Sequence, residues 1–206
     1  MNETTRKILL TLSVLVFPFV LLAVNSPESE KEYVDPTIVG TLKVVEPTPE
    51  PEAPKVWECK DCSLEEKQTL HFLQENGIVD KVAIATIMGN IKQESKFNAN
   101  ICEGGARVPY DRCYRGGYGL IQWTTARRYK GLGQFANQHS CDPSSINCQL
   151  KYMVTERQWM RAVSRFKVPN QSVSYYMKGA YWWLGWGVHG QRTKYSFQYV
   201  NRLSQG

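Results

Sequence analysis

The spacing of the cysteines is the feature that most constrains how this chain can fold. An even number of cysteines in a chain with export features is typical of disulfide bonds. Several connectivities are possible, and we favour pairing between neighbours in the sequence. Zinc is disfavoured because the chain has a single Cys-x-x-Cys and 3 scattered histidines, so no metal or other cofactor is expected. The favoured pairs are Cys59 with Cys62, Cys102 with Cys113, and Cys141 with Cys148.

The export features lie at the N-terminus. Residues 1–7 form a short basic stub, and residues 8–24 follow without a charge. This uncharged run is at the lower limit of length for a membrane span, and its end is a poor signal-peptide cleavage site. An uncleaved signal-anchor and a cleaved signal peptide both stay open, and we favour the anchor. The membrane is then a partner through residues 8–24, and the basic stub stays in the cytoplasm.

Composition separates a leader from a folded domain. Residues 25–56 are rich in proline and glutamate, so they are predicted to form a disordered linker that could extend over about 100 Å. Residues 1–56 hold 5 Lys/Arg and 8 Asp/Glu, a balance of −3, whereas residues 57–206 hold 20 and 11, a balance of +9. A basic domain suits an anionic partner such as nucleic acid, anionic lipid or cell wall. No nucleic-acid-binding motif is present, so nucleic acid is not expected.

The pattern within residues 57–206 predicts a mainly helical α+β domain. Ser63 with Glu66 is typical of a capping box, Gly77 is a plausible helix end, and Asp80 can cap the next helix. The many glycines of residues 98–123 favour a small β-element. Further helices are predicted at about 125–138, 145–162, 171–184 and 192–203.

One carboxyl group stands at the end of an apolar helix face. Ile84, Ile87, Ile91 and Glu94 are spaced by three, four and three residues, which places all four on one face. An apolar setting and the negative end of the helix dipole both raise the pKa of a carboxyl group. A partly protonated carboxyl group is what protonation of a glycosidic oxygen requires. The other interpretation is a surface glutamate in a polar turn.

The second feature is a glycine-rich aromatic segment at residues 116–124. Its glycines allow close approach of backbone and ligand. Tyr118 and Trp123 offer flat faces, and Gln122 offers a donor and an acceptor, which are the groups that sugars require. A hydrophobic hairpin in the core would produce the same pattern.

Together, the two segments resemble the phage-tail-lysozyme family of the lysozyme-like superfamily, which is related to goose-type lysozymes and lytic transglycosylases. The resemblance extends over roughly residues 64–203. It implies that Glu94 is the general acid and base, and that Tyr118 and Gln122 line a sugar cleft. The matching segments are residues 85–98, 117–124, 127–128, 148–153, 175–181 and Arg192.

The sequence departs from the family pattern after Tyr181. Relatives often carry an acidic residue there, and this chain has Trp182. Trp182, Trp183 and Trp186 could form a sugar platform together with Tyr181, although tryptophans clustered at near-helical spacing also suit a core. We therefore include Tyr181 and Trp182, with Trp123, among the predicted substrate-binding residues.

A glycosidase normally uses two carboxyl groups that flank the bond. Asp111 is the candidate for the second catalytic carboxyl group, and Glu103 is a weaker candidate that we assign to substrate binding. Both lie in or beside the loop between Cys102 and Cys113. If neither faces Glu94, two outcomes stay open: attack by water, or attack by the muramyl 6-hydroxyl group as in a lytic transglycosylase.

The sequence therefore predicts a muramidase that cuts the MurNAc-GlcNAc β-1,4 bond of peptidoglycan, phage-encoded and used in cell-wall lysis or penetration. The expected location is a single-pass membrane protein whose C-terminal domain lies in the periplasm or on a virion membrane, or a secreted protein if the leader is cleaved. The alternatives are a lytic transglycosylase and a non-catalytic peptidoglycan-binding module of the same fold.

Overall fold

The computed structural model describes residues 56–114 and 116–206. The basic stub, the predicted anchor of residues 8–24 and nearly all of the linker of residues 25–56 lie outside the described residues. Among the helices of the described part, none combines the length and the apolar character that a membrane span requires.

The described residues form seven α-helices, one 3₁₀ turn and a sheet of two short strands. This agrees with the predicted mainly helical α+β class. In chain order the elements are β1 (Trp57–Glu58), α1 (Leu64–Glu75), α2 (Lys81–Ser95), the 3₁₀ turn (Tyr110–Arg112), α3 (Ala126–Gln138), α4 (Ile146–Thr155), α5 (Arg157–Phe166), α6 (Val173–Leu184), α7 (Arg192–Arg202) and β2 (Ser204–Gln205).

The first two helices begin as the sequence predicts. Ser63 and Glu66 form a reciprocal capping box, in which each side chain accepts a hydrogen bond from the backbone N–H of the other residue. Gly77 follows α1 with a φ of +78°, a conformation that suits glycine. The Asp80 carboxylate accepts two hydrogen bonds from backbone N–H groups in the first turn of α2. Local side-chain chemistry therefore sets these boundaries.

The single helix predicted at 145–162 is wrong, because α4 ends at Thr155 and α5 begins at Arg157. Glu156 lies between them with an extended backbone (φ −71°, ψ 140°). Its carboxylate is buried and accepts hydrogen bonds from Arg128 and Trp123, so the side chain does not lie on a solvent-facing helix surface. A tertiary contact thus interrupts a segment whose helical pattern is continuous.

The β-sheet does not lie in the glycine-rich region of residues 98–123, where the sequence predicted a small β-element. The glycine-rich region contains two isolated bridges, Ile101 with Arg107 and Cys102 with Tyr118, instead of a regular strand pair. The antiparallel sheet pairs β1 with β2 and so joins the two ends of the described domain. The sequence did not predict this pairing, because strands of two residues carry no usable periodicity.

Helix α2 lies at the centre of the core. All residues from Ala83 to Ile91 are buried. Helix α7 packs along α2, and the close approach depends on Gly89, where an added Cβ would lie 2.4 Å from the backbone nitrogen of Ser196. Helix α6 packs against the same helix. This arrangement fixes the C-terminal end of α2 relative to the start of α7.

All six cysteines form disulfides between neighbours in the sequence, as predicted. The bridge of Cys102 with Cys113 closes the loop that contains the 3₁₀ turn, and the bridge of Cys141 with Cys148 joins the segment after α3 to α4.

Candidate active site

Glu94 lies one residue before the end of α2, as the periodicity predicts. Ile84, Ile87 and Ile91 on the same face are fully buried, and the side chain of Glu94 is 15% exposed. The carboxyl group therefore lies at the edge of the core, where one part is in an apolar setting and another can be reached from solvent.

Arg192, the first residue of α7, is the direct partner of Glu94. Its Nη2 donates a hydrogen bond to Oε1 of Glu94, and its side chain is only 5% exposed. The guanidinium also lies over the ring of Trp186, 4.5 Å from the ring centroid. Its Nε and Nη1 are buried with no hydrogen-bond partner among the described residues. Arg192 is therefore held by one carboxylate and one aromatic face.

The environment of Glu94 favours its neutral form. Burial raises the pKa of this carboxyl group, and the positive charges of Arg192 and Arg128 oppose the rise without cancelling it. The pKa therefore lies above its ordinary value, in the direction expected from the apolar helix face. Burial likewise lowers the pKa of Arg192, whereas Glu94 raises it.

The two candidates for the second carboxyl group, Asp111 and Glu103, are both exposed and bind neither Glu94 nor Arg192 in the contacts of the described residues. Asp111 is exposed in the 3₁₀ turn, and its charge contributes to the raised pKa values of Tyr118 and Tyr129. Glu103 is exposed and accepts a hydrogen bond from the backbone N–H of Gly117 at 3.0 Å. Among the described residues, the charges that act on the pKa of Glu94 are both cationic.

The glycine-rich segment is attached to the end of α2 and to α4. Ser95, next to Glu94, donates a hydrogen bond to the backbone oxygen of Leu120 at 2.8 Å. Gln149 of α4 is fully buried and accepts from the N–H of Leu120 at 2.7 Å. An added Cβ at Gly119 would lie 2.5 Å from this amide, so the glycine permits the contact. These bonds hold the segment against the helix that carries Glu94.

Gln122 is half-buried and adopts a left-handed backbone conformation with a φ of +52°. Its Nε2 donates to the backbone oxygens of Gly119 at 3.0 Å and of Ile101 at 3.4 Å. The side-chain amide of Gln122 therefore stabilises the turn of the segment through its donor group.

Tyr118 and Trp123 do not present their faces to solvent, contrary to the sequence prediction, because both are fully buried. The hydroxyl of Tyr118 contacts the backbone oxygen of Val108 at 3.1 Å and Oγ of Ser144 at 2.9 Å. The indole N–H of Trp123 donates to Glu156 at 2.9 Å. Their alternation with glycine reflects core packing beneath the segment.

The aromatic residues at the end of α6 divide between core and surface. Trp183 is buried, whereas Tyr181 and Trp182 are 52% and 54% exposed. Trp186 is half-buried and contacts Tyr181 edge-to-face with ring centroids 5.2 Å apart. Tyr181, Trp182 and Trp186 line a surface hollow of about 340 Å³ together with Lys178. The aromatic cluster therefore separates, with Trp183 in the core and Tyr181, Trp182 and Trp186 at the surface hollow.

A second ion pair lies near Glu94. Arg128 of α3 donates two hydrogen bonds of 2.7 Å to the two carboxylate oxygens of Glu156. The side chains are 12% and 3% exposed. Because the charge of Arg128 lowers the pKa of Glu94, this pair forms part of the electrostatic environment of the candidate acid.

The sequence pattern did not identify Arg192 or Glu156 as site residues. Arg192 lies 98 residues after Glu94, and no local spacing links two residues at that separation. The signal that could have found Glu156 is a glutamate on an otherwise apolar face of the predicted helix at 145–162.

One group of possible metal ligands is found in the described part of the chain: Cys59, Asp61 and Cys62. The two sulfur atoms form a disulfide, so they do not offer thiolates to a metal ion.

The chain matches a known protein family. The family model described as Phage tail lysozyme matches residues 65–186, which is more than half of the chain. The match includes Glu94, the glycine-rich segment and the aromatic residues at the surface hollow, and it ends before Arg192. No curated protein matches the sequence.

Proposed function

Because this chain belongs to the phage tail lysozyme family, and so has a lysozyme-like domain that acts on peptidoglycan, we propose that Glu94 is the general acid that cleaves its glycan strands. One observation carries the proposal. Glu94 is the carboxyl group that combines burial at a helix end, a raised pKa and partial access from solvent. A group of this kind keeps its proton to a higher pH than an ordinary glutamate and can deliver it to a glycosidic oxygen.

Arg192 supports both protonation states of the acid. In the neutral state it holds Oε1, so that the proton is carried by Oε2. After transfer of the proton to the oxygen between MurNAc and GlcNAc, the guanidinium stabilises the new carboxylate. Trp186 keeps the guanidinium in place through its ring face.

We propose that the reaction uses a single carboxyl group. A retaining glycosidase places two carboxyl groups about 5–5.5 Å apart, and at that separation each raises the pKa of the other. Asp111 is exposed in the 3₁₀ turn and Glu103 is bonded to Gly117, whereas the hydrogen-bond partner of Glu94 among the described residues is Arg192. The nucleophile is then water, with Glu94 as the base that activates it, or the muramyl 6-hydroxyl group, which gives an anhydro product. The same observation favours the lytic transglycosylase as the second candidate function.

We propose that Tyr181, Trp182 and Trp186 form the sugar-stacking platform of the substrate cleft. Two of these rings are more than half exposed, and the third lies against the guanidinium that holds the acid. Gln122 and Glu103 contribute through the backbone conformation of the glycine-rich segment, to which both are hydrogen-bonded.

The exchange Glu94→Gln tests the acid. It keeps the shape of the side chain, removes the transferable proton and should reduce the release of fragments from purified murein by about 10²- to 10⁴-fold. Glu75→Gln is the matched control, because Glu75 also lies at the end of a helix but is 60% exposed. Mass spectrometry of the fragments distinguishes reducing ends from anhydro sugars. Full activity in Glu94→Gln would contradict the assignment, and murein binding without fragments in the wild type would indicate a non-catalytic module.

The biological role is proposed from the sequence. We propose a phage-encoded protein used in cell-wall lysis or penetration, anchored in a membrane through residues 8–24 with its C-terminal domain exported. Extraction of the full chain from membranes with alkaline carbonate tests the anchor: an integral anchor stays in the pellet, and a cleaved signal peptide releases the domain.

A further inference from the structure

A surface hollow of about 250 Å³ lies between the starts of α3 and α5, and it shares no lining residue with the hollow at the aromatic platform. Its polar lining comes from the first turns of both helices and from neighbouring side chains. The residues that carry the argument are Arg127, Arg128, Gln134, Glu156, Arg157 and Gln158.

The charge of this arginine hollow is positive on balance. Three guanidinium groups line it, and one carboxylate opposes them, which leaves a balance of +2. The carboxylate belongs to Glu156, and both of its oxygens are occupied by Arg128. Arg127 and Arg157 are exposed and stay available to a ligand.

The arginines stand where helix electrostatics disfavours them. Arg127 and Arg128 lie in the first turn of α3, and Arg157 is the first residue of α5. Neither first turn contains an acidic residue, and the side chain of Glu156 does not cap α5. Cations at helix N-termini add to the partial positive charge of the free N–H groups there. Two helix ends and three guanidinium groups therefore produce a positive potential in one hollow.

The exposed Arg127 and Arg157 have no ion pair among the described residues, and their guanidinium groups suit an anion. Guanidinium groups bind carboxylates through paired hydrogen bonds, and the amides of Gln134 and Gln158 in the same lining can donate further ones. The glycine-rich segment joins the hollow to the helix of the candidate acid, because Ser95 beside Glu94 donates to Leu120 and Trp123 donates to Glu156 of the hollow. The hollow and the acid are therefore held on one frame that a single substrate strand can contact.

We propose that the arginine hollow binds a carboxylate of the peptide that the muramyl sugars of peptidoglycan carry. The proposal rests on the proposed function, and it makes the enzyme selective for strands that keep their peptides. Phosphate groups of wall polymers share the same anionic chemistry, and the experiment separates the two sources.

The test is the double exchange Arg127→Gln with Arg157→Gln in the full chain. The substrates are murein with its peptides, murein freed of peptides by an amidase, and murein that keeps both its peptides and a phosphate-containing polymer. The wild type should prefer peptide-bearing strands over peptide-free strands, and the double variant should lose about tenfold of that preference, as expected for the loss of about 1.4 kcal/mol of charged contacts. The preference is the ratio of kcat/KM on the two substrates.

The matched control is Lys130→Gln with Arg161→Gln. These exposed residues lie on the same two helices outside the hollow and change the net charge by the same amount. The control should keep the wild-type preference, which separates binding in the hollow from general attraction to an anionic wall. Thermal unfolding of both double variants should stay within a few degrees of the wild type, because exposed charges contribute little to stability.

Three results would overturn the proposal. An unchanged preference in the Arg127→Gln, Arg157→Gln variant would mean that the hollow binds no substrate anion. A loss restricted to the phosphate-bearing wall would assign the hollow to phosphate. An equal loss in the control variant would show that only net charge matters. Failure of the proposed function is distinct, because active wild-type protein with inactive Glu94→Gln establishes the acid whatever the preference.

Discussion

Two glutamates of this domain, the buried Glu66 and the half-buried Glu94, bind arginines from opposite ends of α7, and their pKa values move in opposite directions. Glu66 lies in the first turn of α1 and binds Arg202, whereas Glu94 lies in the last turn of α2 and binds Arg192. Burial raises the pKa of both carboxyl groups. The pKa of Glu66 nevertheless lies below its ordinary value, and the pKa of Glu94 lies above it.

The difference comes from the number of hydrogen bonds to each carboxylate. Glu66 accepts from two nitrogens of Arg202, from the hydroxyl of Tyr199 and from the backbone N–H of Ser63. Glu94 has its hydrogen bond from Arg192. The helix dipole acts in the same sense, because it favours a negative charge at the start of α1 and disfavours one at the end of α2. A buried carboxyl group therefore becomes structural when its oxygens are saturated, and stays available for chemistry when they are not.

The largest expected contrast is between Glu66→Gln and Glu94→Gln. Glu66→Gln should keep its activity on murein within a few-fold while the free energy of unfolding falls by about 3 kcal/mol, because Arg202 loses its buried counter-charge and one of the two oxygen acceptors becomes a donor. Glu94→Gln should behave in the opposite way, with activity lost and stability kept. Urea unfolding and fragment release measure the two quantities. Parallel losses of both in Glu66→Gln would break the comparison.

The next largest effect concerns the contact between α2 and α7 at Gly89, which positions the arginines at both ends of α7. Gly89→Ala puts a methyl group against the backbone of Ser196 in the middle of α7. Displacement of α7 should cost about 1–3 kcal/mol of unfolding free energy and should also reduce activity, because Arg192 moves with the helix. Ala85→Gly is a useful comparison on the same helix, since it destabilises without pushing α7 away. If Gly89→Ala lost stability alone, the position of Arg192 would not matter for catalysis.

The pH dependence of stability should separate the two glutamates. Because the folded-state pKa of Glu66 is lowered, its contribution is present above the unfolded value of 4.5 and is lost as pH falls through the folded value. Because the folded-state pKa of Glu94 is raised, its ionisation costs stability as pH rises from 4.5 through the folded value. Urea unfolding from about pH 3 to about pH 7 tests this. Glu66→Gln should remove the loss on the acidic side, and Glu94→Gln should remove the decline at higher pH.

The smallest effect is a shift of the pH–activity profile. Activity should decline as pH rises through the pKa of Glu94, because the acid then loses its proton. Arg192→Gln removes a charge that lowers this pKa, so the decline should move to higher pH. Arg192→Lys keeps the charge and should stay closer to the wild type. A profile that is identical in all three proteins would exclude Glu94 as the titrating group.

Local sequence chemistry predicted those parts of the fold that depend on neighbours in the chain. The caps at Ser63 and Asp80 and the helix end before Gly77 are contacts within a few residues, and all three occur as expected. The disulfides also follow sequence neighbourhood. Local chemistry did not predict the break between α4 and α5, because the Glu156 carboxylate at the break binds residues about 30 positions earlier in the chain.

The candidate site was predictable to a similar degree. The helical period placed Glu94 at the end of a buried face, and the resemblance placed the glycine-rich segment beside it. The alternation of glycine with Tyr118 and Trp123 could not say which side of the segment faces solvent, and both rings are in the core. Exposed aromatic rings occur instead at the end of α6, where Trp183 is buried while Tyr181 and Trp182 are exposed.

By itself, the sequence determined the helical framework, the disulfide pairs and the position of Glu94, because each depends on periodicity or on short separations along the chain. Only the tertiary structure decided the partner of that acid. Arg192 reaches Glu94 because α7 lies against α2 at Gly89, and a contact between residues 98 positions apart has no local signal. The direction of a buried carboxyl group's pKa depends on how many donors the fold brings to it, and this is why Glu66 and Glu94 differ.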